Sequence, residues 1–231
     1  GTEVNRNALI ALLAAIVKDK APGAVIVTDS VTSDELTAFL EKDLGLRHFR
    51  YKRGYKNVIN KGIELNREGQ DCPLAIETSG HGAFRENYFS DDGAYLSVRI
   101  ICRLAIMKRE GKELSSLIAG LKNPAESKEK RFSILDQEGD MRDYRQYGSE
   151  VLQAFREFAE KDPLFHVVEP NFEGVRVSFD DPELKGWMLL RKSLHDPVMP
   201  LNLESEKEGG TDIIFRRIQP FLDAWPRLSS V

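Results

Sequence analysis

Within five consecutive positions, Glu77-Thr78-Ser79-Gly80-His81, the chain places a carboxylate, two hydroxyls and an imidazole. An ionised carboxylate only accepts hydrogen bonds, and its two oxygens can take them from two neighbouring hydroxyls. Glu77 with Ser79 is therefore a pair suited to gripping the vicinal hydroxyls of a sugar. Gly80 and Gly82 allow the run to turn tightly. A second run, Arg191-Lys192-Ser193-Leu194-His195-Asp196-Pro197, is suited to an anion. Arg191 can fork onto a phosphate through two parallel hydrogen bonds. Ser193 adds a hydroxyl donor, and the turn backbone around Lys192 and Leu194 can add amides.

Each run follows an apolar stretch that reads as a buried strand: Pro73-Leu74-Ala75-Ile76 before the first, Trp187-Met188-Leu189-Leu190 before the second. The ends of strands in open α/β sheets are where ligands bind. Around the first run, helix and strand signals alternate. Asn5 or Asn7 can cap a helix running to about Lys20, and Pro22-Gly23 ends it. Ala24 to Val27 is a continuous apolar strand, as buried parallel strands are. Ser33 can cap a helix over Asp34 to Leu44 that stops at Gly45. Phe49 to Tyr51 reads as a strand, residues 56–68 as a helix, Leu74 to Glu77 as a strand, and Ala94 to Arg109 as a long helix. This alternation predicts a βαβ-built sheet.

Residues 122–130 show no apolar periodicity and read as a solvated linker. Beyond them the pattern changes. A strand near Arg131 to Leu135 precedes a strong amphipathic helix, Tyr144 to Glu160, with Val151, Leu152, Phe155 and Phe158 on one face. Short strands follow at Phe165 to Val168, Val175 to Phe179, Trp187 to Leu190 and Val198 to Leu203. A last helix begins near Thr211, and Pro220 should kink it. The expected architecture is one three-layer α/β mixed-sheet domain followed by a smaller α+β domain, whose antiparallel sheet carries helices on one side.

Composition bounds the function. Of 231 residues, 41% are hydrophobic and 30% charged, which fits a soluble globular chain. A net charge of −4 argues against a general nucleic-acid footprint, so cations are expected to act locally on small anions. Cys72 and Cys102 form neither a disulfide framework nor a zinc pattern, consistent with reduced thiols in the cytoplasm. The four histidines, His48, His81, His166 and His195, share no metal-ligand spacing, so no metal site is expected in the chain. The apolar run Ala8 to Val17 is shorter than the ~20 residues needed to cross a bilayer, so no membrane partner is expected.

The two runs, in this order and well separated, resemble the α-D-phosphohexomutase family, which includes phosphoglucomutase, phosphomannomutase and phosphoglucosamine mutase. The family's sugar-selecting loop, Gly-Glu-x-Ser-Gly-His, is matched by Ile76-Glu77-Thr78-Ser79-Gly80-His81, with Ile in place of the leading Gly. Asp91-Asp92-Gly93 and the helix after it match the next landmark. The family's phosphate loop, Arg-x-Ser-x-Thr-x-Pro, is matched at Arg191, Ser193 and Pro197, with His195 where Thr is usual. Tyr51-Lys52-Arg53-Gly54-Tyr55-Lys56 is similar to the family's Lys-Thr-Gly-His turn, with Arg53 and Tyr55 substituted. The phosphoserine loop Ser-His-Asn-Pro and the magnesium loop Asp-x-Asp-x-Asp-Arg do not occur.

The resemblance therefore implies a fragment. Residues 1–121 correspond to the third, sugar-binding domain, with a short tail of the second at 1–8. Residues 131–231 correspond to the C-terminal, phosphate-binding domain. The implied reaction interconverts hexose 1-phosphate and hexose 6-phosphate through a phosphoserine and a bisphosphorylated sugar. Glu77 and Ser79 would bind the sugar in both orientations, and Arg191 and Ser193 would clamp the phosphate that is not reacting. Lys52 would contact phosphate. An imidazole suits proton transfer near neutral pH, which makes His81 the candidate for acid–base work or for orienting the sugar. The side chain of Asp196 is expected to face away from the phosphate and cap the turn. Mg2+ would be held by the missing N-terminal domains, with glucose 1,6-bisphosphate as activator and intermediate, and the chain alone would be inactive. A mutase accepting both glucose and mannose phosphates is expected; Thr78 argues against a glucosamine enzyme. The alternative is a non-catalytic sugar-phosphate-binding module.

Overall fold

The computed structural model describes Val4 and residues 6–230. The chain divides into two compact units after Lys122. The first is built on a four-stranded sheet of order β2-β1-β3-β4. Its strands are β1 (Val25–Asp29), β2 (Arg47–Tyr51), β3 (Leu74–Ile76) and β4 (Gly82–Phe84). β1 runs parallel to both β2 and β3, with Val27 opposite Phe49 and Ala75, while β4 returns antiparallel to β3. β1 is covered on both faces, which is why it reads as an unbroken apolar run. Ile26 joins Ile10, Leu13, Ala14 and Val17 of α1 (Arg6–Val17) in one core. Val25 and Val27 join Val58 and Leu65 of α3 (Tyr55–Arg67) in the other.

α3 packs closely because Gly62 leaves room: a Cβ there would lie 3.0 Å from that of Ala75 and 3.1 Å from the Phe89 ring. α4 (Gly93–Arg109) begins where Asp92 accepts a bond from the Tyr95 amide at 2.9 Å. The Ser33 hydroxyl caps α2 (Asp34–Ala38) by accepting from the Leu36 amide at 3.0 Å. The expected helix over Asp34 to Leu44 then widens into a π turn across Phe39–Asp43. Of the two candidate caps for α1, Asn5 lies outside the described residues, and Asn7 lies inside the helix, where its Oδ1 accepts from the Ser33 amide. Residues 6–8, expected as the tail of a preceding domain, belong to α1. β4 is absent from the sequence reading, since it is three residues long and opens on a glycine.

The second unit is a six-stranded, wholly antiparallel sheet of order β10-β5-β9-β8-β7-β6. Its strands are β5 (Glu126–Ile134), β6 (His166–Val167), β7 (Val175–Phe179), β8 (Gly186–Leu190), β9 (Val198–Ser205) and β10 (Leu228–Ser230). Val151 and Phe155 of α5 (Tyr144–Ala159) and Ile214 and Ile218 of α6 (Gly210–Asp223) share one core with Val177, Met188 and Leu201. α6 runs through Pro220, whose missing N–H leaves the Arg216 carbonyl without its helical partner.

The linker expected over 122–130 is corrected by β5, which starts at Glu126. The reason is chemical. The core-side positions at this end of the strand face the start of α6, not an apolar layer. Glu126 accepts from the Gly209 amide at 2.8 Å and from the Thr211 hydroxyl at 2.6 Å, bonds that hold its carboxyl below the usual range. Lys128 bonds Asp212, and Lys130 lies 4.2 Å from the centre of the Phe215 ring. Polar residues used this way leave no apolar alternation to read.

Candidate functional site

Because β1, β2 and β3 are parallel, their carboxyl ends lie along one edge, and the residues that follow each strand gather there. The β3–β4 connection is the tight turn expected of Gly80, which sits at φ +94°. The Glu77 amide donates to the His81 carbonyl at 2.8 Å, and the Gly80 amide to the Glu77 carbonyl at 3.0 Å. The turn holds Glu77 6% exposed. Its Oε1 accepts from the Gly54 amide at 2.7 Å and its Oε2 from the Ser79 hydroxyl at 3.2 Å. The carboxylate thus ties the turn after β3 to the turn after β2, and Ser79 is brought against it.

Beneath this turn lies a residue the sequence reading missed. Asp29, the last residue of β1, is fully buried. One of its oxygens accepts from the Thr78 amide at 3.1 Å and the other from the Thr78 hydroxyl at 2.9 Å. Arg53 Nε stands 3.6 Å away. Burial raises the Asp29 carboxyl above its ordinary value, against the pull of the two Thr78 bonds. The local signal was partial: an acid closes a strand of β-branched residues, Val25 to Thr28, but its partner lies far along the chain.

His81 lies at the rim, its side chain about half exposed. Its ring stacks on that of Tyr55, with centroids 5.1 Å apart and planes 25° apart. Its Nδ1 is 2.7 Å from Asp91 Oδ2, while Asp91 Oδ1 accepts from the Gly82 amide at 3.0 Å. Lys52 is at the same edge but exposed, with its Nζ 5.5 Å from the Tyr51 ring centre. Among the described residues no hydrogen bond joins it to Glu77, Ser79 or His81.

In the second unit, Arg191 follows β8 and is 6% exposed. Its Nη1 lies 3.8 Å from Glu173 Oε1, and both side chains are nearly buried. The segment carrying Glu173 presses against the strand end, since a Cβ on Gly174 (φ +62°) would meet the Leu190 carbonyl at 2.1 Å and Arg191 Cβ at 2.8 Å. Ser193 shapes the turn: its amide donates to the Val198 carbonyl at 2.8 Å, and its hydroxyl oxygen accepts from the amides of His195 and Asp196. The capping side chain is therefore Ser193, where Asp196 was expected. Lys192 turns toward α5 and bonds the Ser149 hydroxyl at 2.7 Å.

Among the described residues, no group of three or more His, Cys, Asp or Glu side chains is placed to hold a metal ion. Asp91 and Asp92 are both committed, one to His81 and Gly82, the other to the α4 cap. Among the described residues, no helix is long and apolar enough to cross a membrane.

The fold and these strand-end clusters define an α/β protein with its polar side chains gathered where such sheets bind ligands. The family model for phosphoglucomutase/phosphomannomutase, alpha/beta/alpha domain III, matches residues 5–124. A phosphomannomutase/phosphoglucomutase of Pseudomonas syringae pv. tomato is 28% identical over 232 aligned residues, covering 96% of this chain and 44% of the relative. A crystal structure of a phosphoglucomutase/phosphomannomutase family protein from Burkholderia thailandensis superposes with a TM-score of 0.74 at 26% identity, covering 98% of this chain and 43% of the other. An Aspergillus fumigatus N-acetylphosphoglucosamine mutase variant, solved with glucose 1,6-bisphosphate, shares the fold at a TM-score of 0.58 and 14% identity, over 96% of this chain and 44% of that one. The chain belongs to the phosphoglucomutase/phosphomannomutase family. It spans less than half the length of the relatives it matches.

Proposed function

We propose that this chain supplies the sugar-selecting and phosphate-binding loops of a phosphohexomutase that interconverts hexose 1-phosphate and hexose 6-phosphate. The catalytic phosphoserine and the Mg2+ ligands belong to domains outside the chain, which alone turns over nothing. The carrying observation is the Glu77–Ser79 pair. A nearly buried carboxylate is held by one backbone amide and one hydroxyl at the ligand-binding edge of the sheet. Each oxygen keeps a lone pair for a sugar hydroxyl, and Ser79 can turn its proton to the ligand.

A mutase must bind its sugar in two opposed orientations, so contacts to hydroxyls that exchange places are what this pair provides. Arg191 and Ser193 form the second half-site, for the phosphate not undergoing transfer. Lys52, exposed at the same edge as Glu77, adds a cation for a phosphate. Mg2+ supplies charge neutralisation at the transferring phosphoryl group when bound; no group of residues described in this chain is arranged for it.

Calorimetric titration of the chain with glucose 1,6-bisphosphate tests the reading. Saturable binding is expected, weakened about tenfold in Glu77→Ala, as for one lost charge-assisted hydrogen bond of roughly 1.5 kcal/mol. Binding by the full-length protein without turnover of glucose 1-phosphate would replace the mutase by a sugar-phosphate-binding module.

A further inference from the structure

We propose that the outward face of α4 is the seam on which the domain preceding this chain docks, an inference that rests on the mutase reading above, in which further domains come before residue 1. α4 is apolar on two sides. Leu96 and Met107 are buried, and Leu96 and Ile100 pack into the core shared with α1. At about 3.6 residues per turn, Ala94, Val98, Ile101 and Ala105 fall on the opposite side. All four are exposed, Val98 at 52% and Ile101 at 62%. Their spacing of four, three and four residues is that of a helix stripe made to meet another helix. Two β-branched side chains fill its middle, and an alanine at each end lets a partner approach. Cys102, a free and exposed thiol, borders the stripe. A single exposed apolar residue needs no explanation, but a row of four opposite the core face leaves a helix with no polar side to give to water.

The loop before α4 adds an aromatic side chain to this surface. Asn87 bonds Asp92 at 3.2 Å and Glu86 pairs with Arg99 at 3.0 Å, which fastens the loop along the helix. Next to Asn87, Tyr88 is 94% exposed and sits at φ +54°. The left-handed region is costly for a residue with a side chain, and structure that holds one there clusters at functional surfaces. Tyrosine is also among the side chains that anchor protein interfaces.

Connectivity selects the occupant. α1 starts at the carboxyl edge of the sheet, where Asn7 accepts from the amide of Ser33, just beyond β1. α4 starts at the same edge, where the Asp92 amide donates to the carbonyl of Gly82, itself opposite Ile76 at the end of β3. Both helices lie on one face of the sheet and share a core. Since 96% of this chain covers 44% of the Pseudomonas syringae relative, that relative is more than twice as long. A domain joined to the start of α1 reaches the α4 stripe without crossing the sheet. Docked there, it stands at the edge that carries Glu77 and Ser79, where the phosphoryl-transferring group of another domain has to come.

Cys102 reports on the stripe. Timed alkylation with iodoacetamide under native conditions, read by peptide mass mapping, compares the full-length protein with the 231-residue chain. Cys72, with no exposed surface, is the internal control. Cys102 is expected to label about tenfold more slowly in the full-length protein, at every protein concentration, because labelling then waits for the interface to open. Ile101→Asp in the full-length protein should restore the fast rate. Ile101 is mostly exposed in this chain, so the same substitution should leave urea unfolding of the 231-residue chain unchanged, which separates lost docking from lost fold.

Equal labelling rates in the two proteins, or slow labelling that survives Ile101→Asp, overturn the proposal. Protection that vanishes on dilution, together with a dimer in sedimentation, also overturns it and assigns the stripe to a second copy of the chain. Protected Cys102 in a full-length protein that neither binds nor turns over hexose phosphates would uphold the docking and remove the mutase reading.

Discussion

Replacing Arg191 by alanine in the full-length protein is expected to weaken hexose-phosphate binding by about 1.5–3 kcal/mol, the worth of a charge-assisted bond. The second unit should lose stability at the same time. The second effect follows from where the side chain sits. Arg191 is nearly buried, with Glu173 3.8 Å away and itself nearly buried. Removing the guanidinium leaves that carboxylate desolvated beside a cavity. Breaking one partner of a buried pair costs on the order of 3 kcal/mol, because the remaining carboxylate keeps its desolvation cost and loses this cation.

The two effects can be separated through Glu173. Glu173→Gln keeps the volume and removes the competing charge, so a phosphate should bind Arg191 at least as tightly as before. The double variant Arg191→Ala/Glu173→Gln should regain much of the stability and none of the binding. Urea unfolding and calorimetric titration, read side by side on the same four proteins, give the answer. If KM and kcat of Arg191→Ala match those of the unaltered protein, Arg191 is not part of the clamp and its place beside Glu173 is architectural.

The order of helices and strands was more legible than the contacts between them. Glu77, Ser79 and His81 could be picked out because polar residues stand abruptly after a buried apolar strand, and the structure puts all three on one turn. Asp29 escaped notice because its partner Thr78 lies 49 positions away, and only the parallel pairing of β1 with β3 brings them together. Local pattern carries no information about such a pair. The start of β5 was misread for a related reason: Glu126, Lys128 and Lys130 meet capping amides, an acid and an aromatic ring on α6, so burial there is polar. β4 and β10, at three residues each, are too short to show period-2 alternation. The π turn after α2 follows from packing and leaves no compositional trace.

Asp29 carries the last prediction, and its two substitutions should behave oppositely. Asp29→Ala removes the acceptor for both the amide and the hydroxyl of the nearly buried Thr78. Leaving such donors unsatisfied costs about 1–3 kcal/mol each, so a loss of roughly 2–6 kcal/mol in unfolding free energy is expected, with weaker sugar-phosphate binding because the turn bearing Glu77 and Ser79 loses its anchor. Asp29→Asn keeps an acceptor for the Thr78 amide and offers the hydroxyl a donor, so the anchor survives without the buried charge. The pH dependence gives the sign. Burial raises the Asp29 carboxyl above its ordinary value of 3.8 in the folded chain. The folded state therefore holds this proton more tightly than the unfolded state, and the contribution of Asp29 to stability must fall as pH rises from 3.8 through the folded value. Above that value the cost of the buried charge is present in full. In urea unfolding across this range, the stability of Asp29→Asn relative to the unaltered chain should increase with pH and then level off. A difference that stays flat, or runs the other way, would mean that the Thr78 bonds and Arg53 outweigh burial and that Asp29 is an ordinary ionised anchor.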